Sequence, residues 1–139
     1  MNIPLFLKLF IISYPIFILM DLFWVAYLMS ETYHNYIGYM FHIINGEMQL
    51  NKIAAFSAWL LIVAGAIALV LPQTMGRGIA VSLAWGAFYG LVIYGFSNLN
   101  NLAIFKNWPL TITLIDIAWG MLLNAIFMVL LNMLHTYIR

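Results

Sequence analysis

The fold is decided by residues 109–134, which read PLTITLIDIAWGMLLNAIFMVLLNML. Asp116 is the single charged residue of this stretch, and Pro109 suits the first turn of a helix. A helix that crosses a bilayer needs about 20 mostly apolar residues. The stretch therefore predicts a transmembrane helix from near Pro109 to about Leu134.

Three further stretches have the same character and predict spans over about 5–28, 52–71 and 78–97. The first resembles a secretory signal because Lys8 precedes its main apolar run, but this run is too long, contains Asp21 and lacks a cleavage motif. Pro15 within it is expected to bend the helix. No Pro/Gly/Ser-rich linker divides the chain. We therefore predict an all-α integral membrane protein, a four-helix bundle forming a single transmembrane domain over residues 1–139.

The composition agrees with this class and excludes several others. Hydrophobic residues make up 66% of the chain and charged residues only 6%, whereas a soluble domain carries about 25% charged residues. The net charge is +1 without a basic run, so no nucleic-acid partner is expected. The absence of cysteine excludes disulfides, zinc–thiolate sites and iron–sulfur clusters. No cofactor is predicted.

Residues 31–45 have a different character from the spans. Apolar and aromatic residues recur at helical spacing in this segment (Tyr33, Ile37, Met40, Phe41 and Ile44). Their moderate hydrophobicity predicts an interfacial helix between the first and second spans, followed by a turn at Asn45-Gly46. A structured loop without a full helix is the alternative.

Four spans place both chain ends on one side of the membrane. That side carries Lys8, Arg77 and Arg139, and the other side carries Lys52 and Lys106. Because basic residues favour the cytoplasm, we expect cytoplasmic termini.

Two acids lie within the predicted spans, and each is followed three residues later by tryptophan: Asp21 by Trp24, and Asp116 by Trp119. Asp21 precedes the end of its span by seven residues, and Asp116 follows the start of its span by seven. At 1.5 Å per residue both lie roughly 10 Å below the same membrane face. Acids are costly in a membrane and mark functional sites. Helix packing is the alternative for the acids and for Trp24 and Trp119.

Small and polar residues of the third and fourth spans are expected to lie around the two acids. The third span carries a helix-packing stripe that ends in two polar residues (Ser82, Gly86, Gly90, Tyr94 and Asn98), and Gly120 lies on a similar face of the fourth span. We predict a pocket lined by Asp21, Asp116, Asn98 and Tyr94. The residues expected above it are Asn100, Asn101 and Lys106 from a 98–108 loop, with His34 or His42. If the two acids are close, they share a proton or a cation neutralises them.

No metal site is predicted. His34 and His42 are the only candidates, two helical turns apart, and they lack the His-x₃-His spacing of a ligand pair. His135 near the end of the fourth span is expected at the membrane interface.

Two stretches resemble a known family. Residues 101–110, NLAIFKNWPL, and residues 113–120, TLIDIAWG, resemble the signature of domain-of-unknown-function family 2177, as do DLFW at 21–24 and the following Tyr33 and Ile37-Gly38. The resemblance covers essentially the whole chain and implies a small four-span protein of the bacterial inner membrane. The family pattern tends to carry an acid where this chain has Asn98, which implies an altered site here. The resemblance supplies no activity.

Three classes of function remain open. The first is binding or transport of a small cation, a polar solute or a lipid, with membrane lipid as partner and with homo-oligomers allowed by the remaining small-residue faces. The second is a membrane enzyme, or an accessory subunit of one, acting on lipid through the two carboxylates. No recognised catalytic motif supports it. The third is a purely structural subunit.

Overall fold

The computed structural model describes residues 2–45 and 47–138 and contains four long apolar helices. Helix α1 spans Ile3–Leu28, α3 spans Lys52–Thr74, α4 spans Ile79–Ile104 and α5 spans Leu110–Ile138. A short helix, α2, spans Ser30–Ile37 and continues as a 3₁₀ turn over Gly38–Met40. The prediction of an all-α membrane protein with four spans and a short helix between the first two is confirmed.

The short helix is shorter than the predicted interfacial segment. Helical structure ends at Met40, and Ile43–Ile44 (β1) pairs antiparallel with Glu47–Met48 (β2), so Phe41 and Ile44, which the spacing placed on the helix, lie beyond its end. Asn45, between the strands, has a φ of +55°, which suits the tight turn of a hairpin. Gly46, the other half of the predicted turn, lies outside the described residues, as does Arg139.

Three of the four spans end later than the hydropathy pattern indicates, whereas α1 ends at Leu28 as predicted. Helix α4 continues to Ile104 rather than ending near Ser97, so Asn98, Asn100 and Asn101 are helical and the connecting loop is only 105–109. Polar residues can extend a helix beyond the hydrocarbon because its backbone hydrogen bonds do not depend on side-chain hydropathy. Helix α3 similarly continues through Pro72 to Thr74.

Two segments of the long helices are π-helical. The last turns of α1, Phe23–Leu28, and the segment Ala66–Val70 of α3 have this wider geometry. In α1 the amide of Met29 bonds to the carbonyl of Trp24, five residues earlier, at 2.9 Å. Such π segments rotate the following side chains relative to an ideal α-helix and are frequent at functional sites.

Helices α4 and α5 form the closest helix pair in the bundle. Gly86 and Gly90 of α4 are buried against the backbone of α5, where a Cβ on Gly90 would lie 2.6 Å from the carbonyl carbon of Gly120. Gly120 in turn lies against the ring of Tyr94. In lipid no hydrophobic effect drives helices together, so association depends on van der Waals packing. Small residues strengthen this packing because they let the two backbones approach closely.

The remaining helices pack on this pair. Phe17 of α1 meets Phe127 of α5 edge to face, with ring centroids 4.9 Å apart, and both rings are fully buried. The Tyr14 hydroxyl of α1 donates to the Phe56 carbonyl of α3 at 2.8 Å, and the Tyr89 hydroxyl of α4 donates to the Ile62 carbonyl of α3 at 3.0 Å. The spans therefore form one bundle, and many of its large apolar side chains are exposed on the outer surface, where they can contact lipid.

The two ends of the bundle differ in structure. We call the end that carries the 29–51 connection and the 105–109 loop the distal end. There the Tyr39 hydroxyl donates to the Asn107 carbonyl at 2.8 Å, so the segment after α2 is attached to the opposite loop. Near the other end, Asn132 of α5 donates to the hydroxyls of Thr74 and Ser82 at 2.7 and 2.8 Å and thereby links three helices.

Candidate ligand-binding site

Asp21 is buried among aromatic hydrogen-bond donors from three other spans. Its carboxylate accepts bonds from Trp59 Nε1 of α3 at 2.7 Å, from Trp119 Nε1 of α5 at 2.9 Å and from the Tyr94 hydroxyl of α4 at 3.4 Å. The side chain is only 8% exposed. Buried residues of α1 recur every four positions (Leu9, Ser13, Phe17 and Asp21). The face that packs α1 into the bundle therefore also directs this acid inward.

Asp116 has a more open environment. Its side chain is half-buried, and its Oδ1 accepts a hydrogen bond from the hydroxyl of Tyr33, which lies on α2 outside the spans. The amide group of Asn98 is a second polar neighbour of the carboxylate. A carboxylate can accept about four hydrogen bonds, so Asp116 retains acceptor capacity that Asp21 has largely used.

The Tyr33 phenol is influenced by both its burial and its partner. Burial raises the pKa of Tyr33 above its ordinary value, and the hydrogen bond to Asp116 raises it further. Both effects favour the protonated hydroxyl, which is the form that donates to the carboxylate. The bond therefore attaches the buried face of α2 to the fourth span.

The two tryptophans of the Asp-x-x-Trp pairs meet each other. The rings of Trp24 and Trp119 stack with centroids 4.3 Å apart and an interplanar angle of 2°. Trp119 bonds to Asp21, the acid of the other pair, so the two pairs interlock across α1 and α5. The Nε1 of Trp24 is buried without a hydrogen-bond partner among the described residues.

A cavity of about 440 Å³ lies at the distal end, between the bundle and α2 with its hairpin. From the spans it is lined by Val25, Tyr94, Asp116 and Trp119. The remaining wall comes from α2, the hairpin and the segments that flank them (Tyr33, Ile37, Met40, Phe41, His42, Met48, Gln49 and Leu50). Its volume is in the range of small-molecule sites. Asp116 is the single carboxylate among the described side chains of this wall.

Some of the predicted pocket residues line this cavity and others do not. Tyr94, Asp116, Trp119 and His42 belong to its wall. Asp21 and Asn98 are buried beside it in the bundle, and Trp24 contributes only through its stack on Trp119. The residues expected above the pocket lie elsewhere: Asn100 and Asn101 on helix α4, Lys106 exposed in the loop, and His34 exposed on α2.

The predicted absence of a metal site concerns His34 and His42, and the structure separates the two. His34 lies on α2, with its ring centroid 6.4 Å from that of Phe41, whereas His42 follows the 3₁₀ turn and lines the cavity. Within residues 2–45 and 47–138, no group of three His, Asp or Glu side chains comes together as a metal ligand set.

Two residues that sequence reasoning did not assign to the pocket are central to the site. Trp59 donates the shortest bond that Asp21 accepts, and Tyr33 is the partner of Asp116. Trp59 follows the start of its span by seven residues, which is the depth of both acids. A tryptophan so far from the membrane interface needs a partner for its N–H, and this signal could have identified it.

This combination of four apolar helices, a short helix across one end and a polar cluster within the membrane defines a multipass membrane protein with a buried acidic site. The chain belongs to the family described as predicted membrane protein (DUF2177), whose model matches residues 6–132. Comparisons with curated proteins and with solved structures find no match.

Proposed function

We propose that this protein is a membrane-embedded binding module whose distal cavity holds a small cation or a polar solute, with Asp116 as the contacting acid. The observation that carries the proposal is the position of Asp116 in the wall of the 440 Å³ cavity. No lysine or arginine is found among the described residues of that wall. An acid without a basic partner in a mostly apolar cavity favours a ligand that supplies the positive charge.

The two acids have different roles in this proposal. Asp21 accepts three hydrogen bonds and joins α1 to the other spans, so we assign it to the architecture of the site. Asp116 accepts its bond from Tyr33 and borders open space, so we assign it to the ligand. Asymmetry of this kind supports binding over a purely structural role for both acids.

Binding, rather than passage across the membrane, is the step that the site supports. Between the cavity and the other end of the bundle lie the buried side chains of Phe17, Phe127 and Leu131. A route through the protein would require these packed groups to separate. Transport is therefore a further step that would need a second arrangement of the helices.

The test measures ligand binding to the full chain in maltoside micelles, because these carry no charged headgroup. Trp119 lines the cavity, so tryptophan fluorescence reports on occupancy. The panel contains sodium, potassium, calcium, an alkylammonium, an alkylsulfonate and an alkanol. We expect at least one cation to saturate the signal, and we expect Asp116→Asn to weaken its binding about tenfold, the equivalent of one charged contact.

Glu31→Gln is the matched control. Glu31 is exposed at the start of α2 and is absent from the cavity wall. Its replacement removes one negative charge from the same end of the protein, so it corrects for general attraction of cations. Binding that is equally weakened by both replacements, or no binding by any member of the panel, would refute the proposal.

A further inference from the structure

The composition of the cavity wall indicates which kind of cation fits. Apart from Asp116, the polar side chains described in this wall are two phenols, an indole, one imidazole and one primary amide, and the other described side chains are aliphatic, thioether or phenyl. The side chains that give it this apolar character are Val25, Ile37, Met40, Phe41, Met48 and Leu50.

Inorganic cations are poorly matched to this wall. Calcium takes six to eight oxygen ligands, and magnesium demands a near-octahedral set and gives up its water reluctantly. Among the described side chains of the wall, Asp116 is the only carboxylate and Gln49 supplies the only side-chain amide. An ion that lost its hydration shell here would not recover enough oxygen contacts.

An organic ammonium group has the opposite requirements. Its charge is spread over carbon-bound hydrogens or methyl groups, so it tolerates an apolar wall and is attracted to aromatic rings. Trp119, Tyr94 and Tyr33 supply such rings within one cavity, and the Asp116 carboxylate supplies the counter-charge. Carboxylate and aromatic groups together form the usual recognition set for alkylated ammonium ions.

We infer that the distal cavity takes an ammonium group attached to an apolar chain, with the charge at Asp116 and the chain along the aliphatic wall. This inference rests on the proposed function and names its ligand class. Two sources share the chemistry: the amine headgroup of a membrane lipid and a free amphiphilic amine. Met40, Met48 and Leu50 of the wall are also exposed on the protein surface, so a bound chain can continue toward lipid.

Tyr33 shares the carboxylate with the ligand. Its hydroxyl uses Asp116 Oδ1, and the lone pairs that remain on the carboxylate accept the ammonium. Because Tyr33 belongs to α2, a bound cation strengthens the attachment of α2 to the bundle by keeping the carboxylate ionised. The ligand is thus expected to protect α2 as well as the cavity.

The experiment uses hexyltrimethylammonium chloride as the probe, because its charge does not depend on pH. We expect it to saturate the tryptophan signal of the full chain in maltoside micelles. Hexanesulfonate and hexanol, which have the same chain, should bind at least about tenfold more weakly. Asp116→Asn should lose a similar factor, whereas Glu31→Gln should bind as the wild type does.

Comparing the affinities of these ligands distinguishes failure of the inference from failure of the proposed function. If sodium, potassium or calcium binds in an Asp116-dependent manner and the ammonium does not, the ammonium class is refuted while the cation site stands. If Asp116→Asn changes no affinity, both are refuted. If hexanol binds as tightly as the ammonium, the cavity selects only the chain and the inference also fails.

Added lipid identifies the source of the amine. Phosphatidylcholine, whose headgroup carries the same trimethylammonium group as the probe, should displace the probe if the ligand is a headgroup, and an uncharged glycolipid with the same acyl chains should not. Displacement by a free alkylated amine without displacement by phosphatidylcholine supports the soluble source. Hydrogen exchange of residues 30–40 gives an independent readout, since exchange there should slow with the probe in the wild type and remain unchanged in Asp116→Asn.

Discussion

Replacing each of the two acids by asparagine should have unequal effects on stability, although the chemical change is the same. At Asp21 the carboxylate accepts from Trp59 through Oδ2 and from Trp119 and Tyr94 through Oδ1. Asparagine has one oxygen, so one indole N–H would face an amide NH₂ group and lose its acceptor. At Asp116 the asparagine oxygen can still accept from Tyr33.

The expected size of the effect follows from the hydrogen bonds. Interhelical bonds in membrane proteins average about 0.6 kcal/mol and reach about 1.7 kcal/mol. Bonds to an ionised acceptor are roughly twice as strong as neutral ones. The two short bonds at Asp21, with a minor contribution from Tyr94 at 3.4 Å, therefore suggest a loss of about 2–4 kcal/mol for Asp21→Ala. We expect about 1–2 kcal/mol for Asp21→Asn and less than about 1 kcal/mol for Asp116→Asn.

The assay is equilibrium unfolding by SDS in mixed micelles, followed by circular dichroism, because that signal does not depend on the tryptophans themselves. A double-mutant cycle with Trp59→Phe isolates one bond: the cost of Trp59→Phe should be smaller in the Asp21→Ala background than in the wild type. Equal losses for the two asparagine variants, a greater loss for Asp116→Asn, or no coupling between Asp21 and Trp59 would refute the reasoning.

Two further predictions concern helix packing and pH. Gly90→Ala should destabilise the protein by about 1–3 kcal/mol, because its Cβ would meet the backbone of Gly120. Gly95→Ala, whose Cβ has its nearest neighbour at 3.7 Å, should change the free energy of unfolding by less than about 0.5 kcal/mol. The same SDS titration compares the two variants, and equal effects would contradict the close approach of α4 and α5. The raised pKa of Tyr33 means that the folded protein holds the phenol proton more tightly than the unfolded chain, whose Tyr pKa is near 10.0. Stability from the Tyr33–Asp116 bond should therefore be complete below pH 10 and decline as the pH rises above it, and Tyr33→Phe should remove that part of the decline in pH-dependent unfolding.

Sequence reasoning placed the four spans well because each depends on local composition. A run of about 20 apolar residues spans a bilayer regardless of its neighbours, as residues 109–134 illustrate. It located the ends of the helices less well. Helix α4 extends past Ser97 to Ile104 because backbone hydrogen bonding continues after hydropathy falls, and the hairpin at Ile43–Met48 replaced predicted helix because cross-strand pairing is not visible in a 3.6-residue pattern.

Residue spacing also predicted a common depth for Asp21 and Asp116. In the structure Trp119, which lies on α5 with Asp116, donates a hydrogen bond to Asp21 of α1. The sequence could not distinguish their environments. The environment of Asp21 depends on Trp59 and Trp119, which are 38 and 98 residues away in the chain. The environment of Asp116 depends on Tyr33, which is 83 residues away. Which of these groups meet depends on the rotation of each helix about its axis.

By itself, then, the sequence determined that this is a four-span membrane protein with two acids in the same layer, because hydrophobic length and residue count set span and depth. Only the tertiary structure decided that Asp21 accepts hydrogen bonds from three aromatic donors while Asp116 borders a cavity. The physical reason is that helix rotation, the π turn at Phe23–Leu28 and the attachment of α2 arise from packing between distant segments, and no local pattern encodes them.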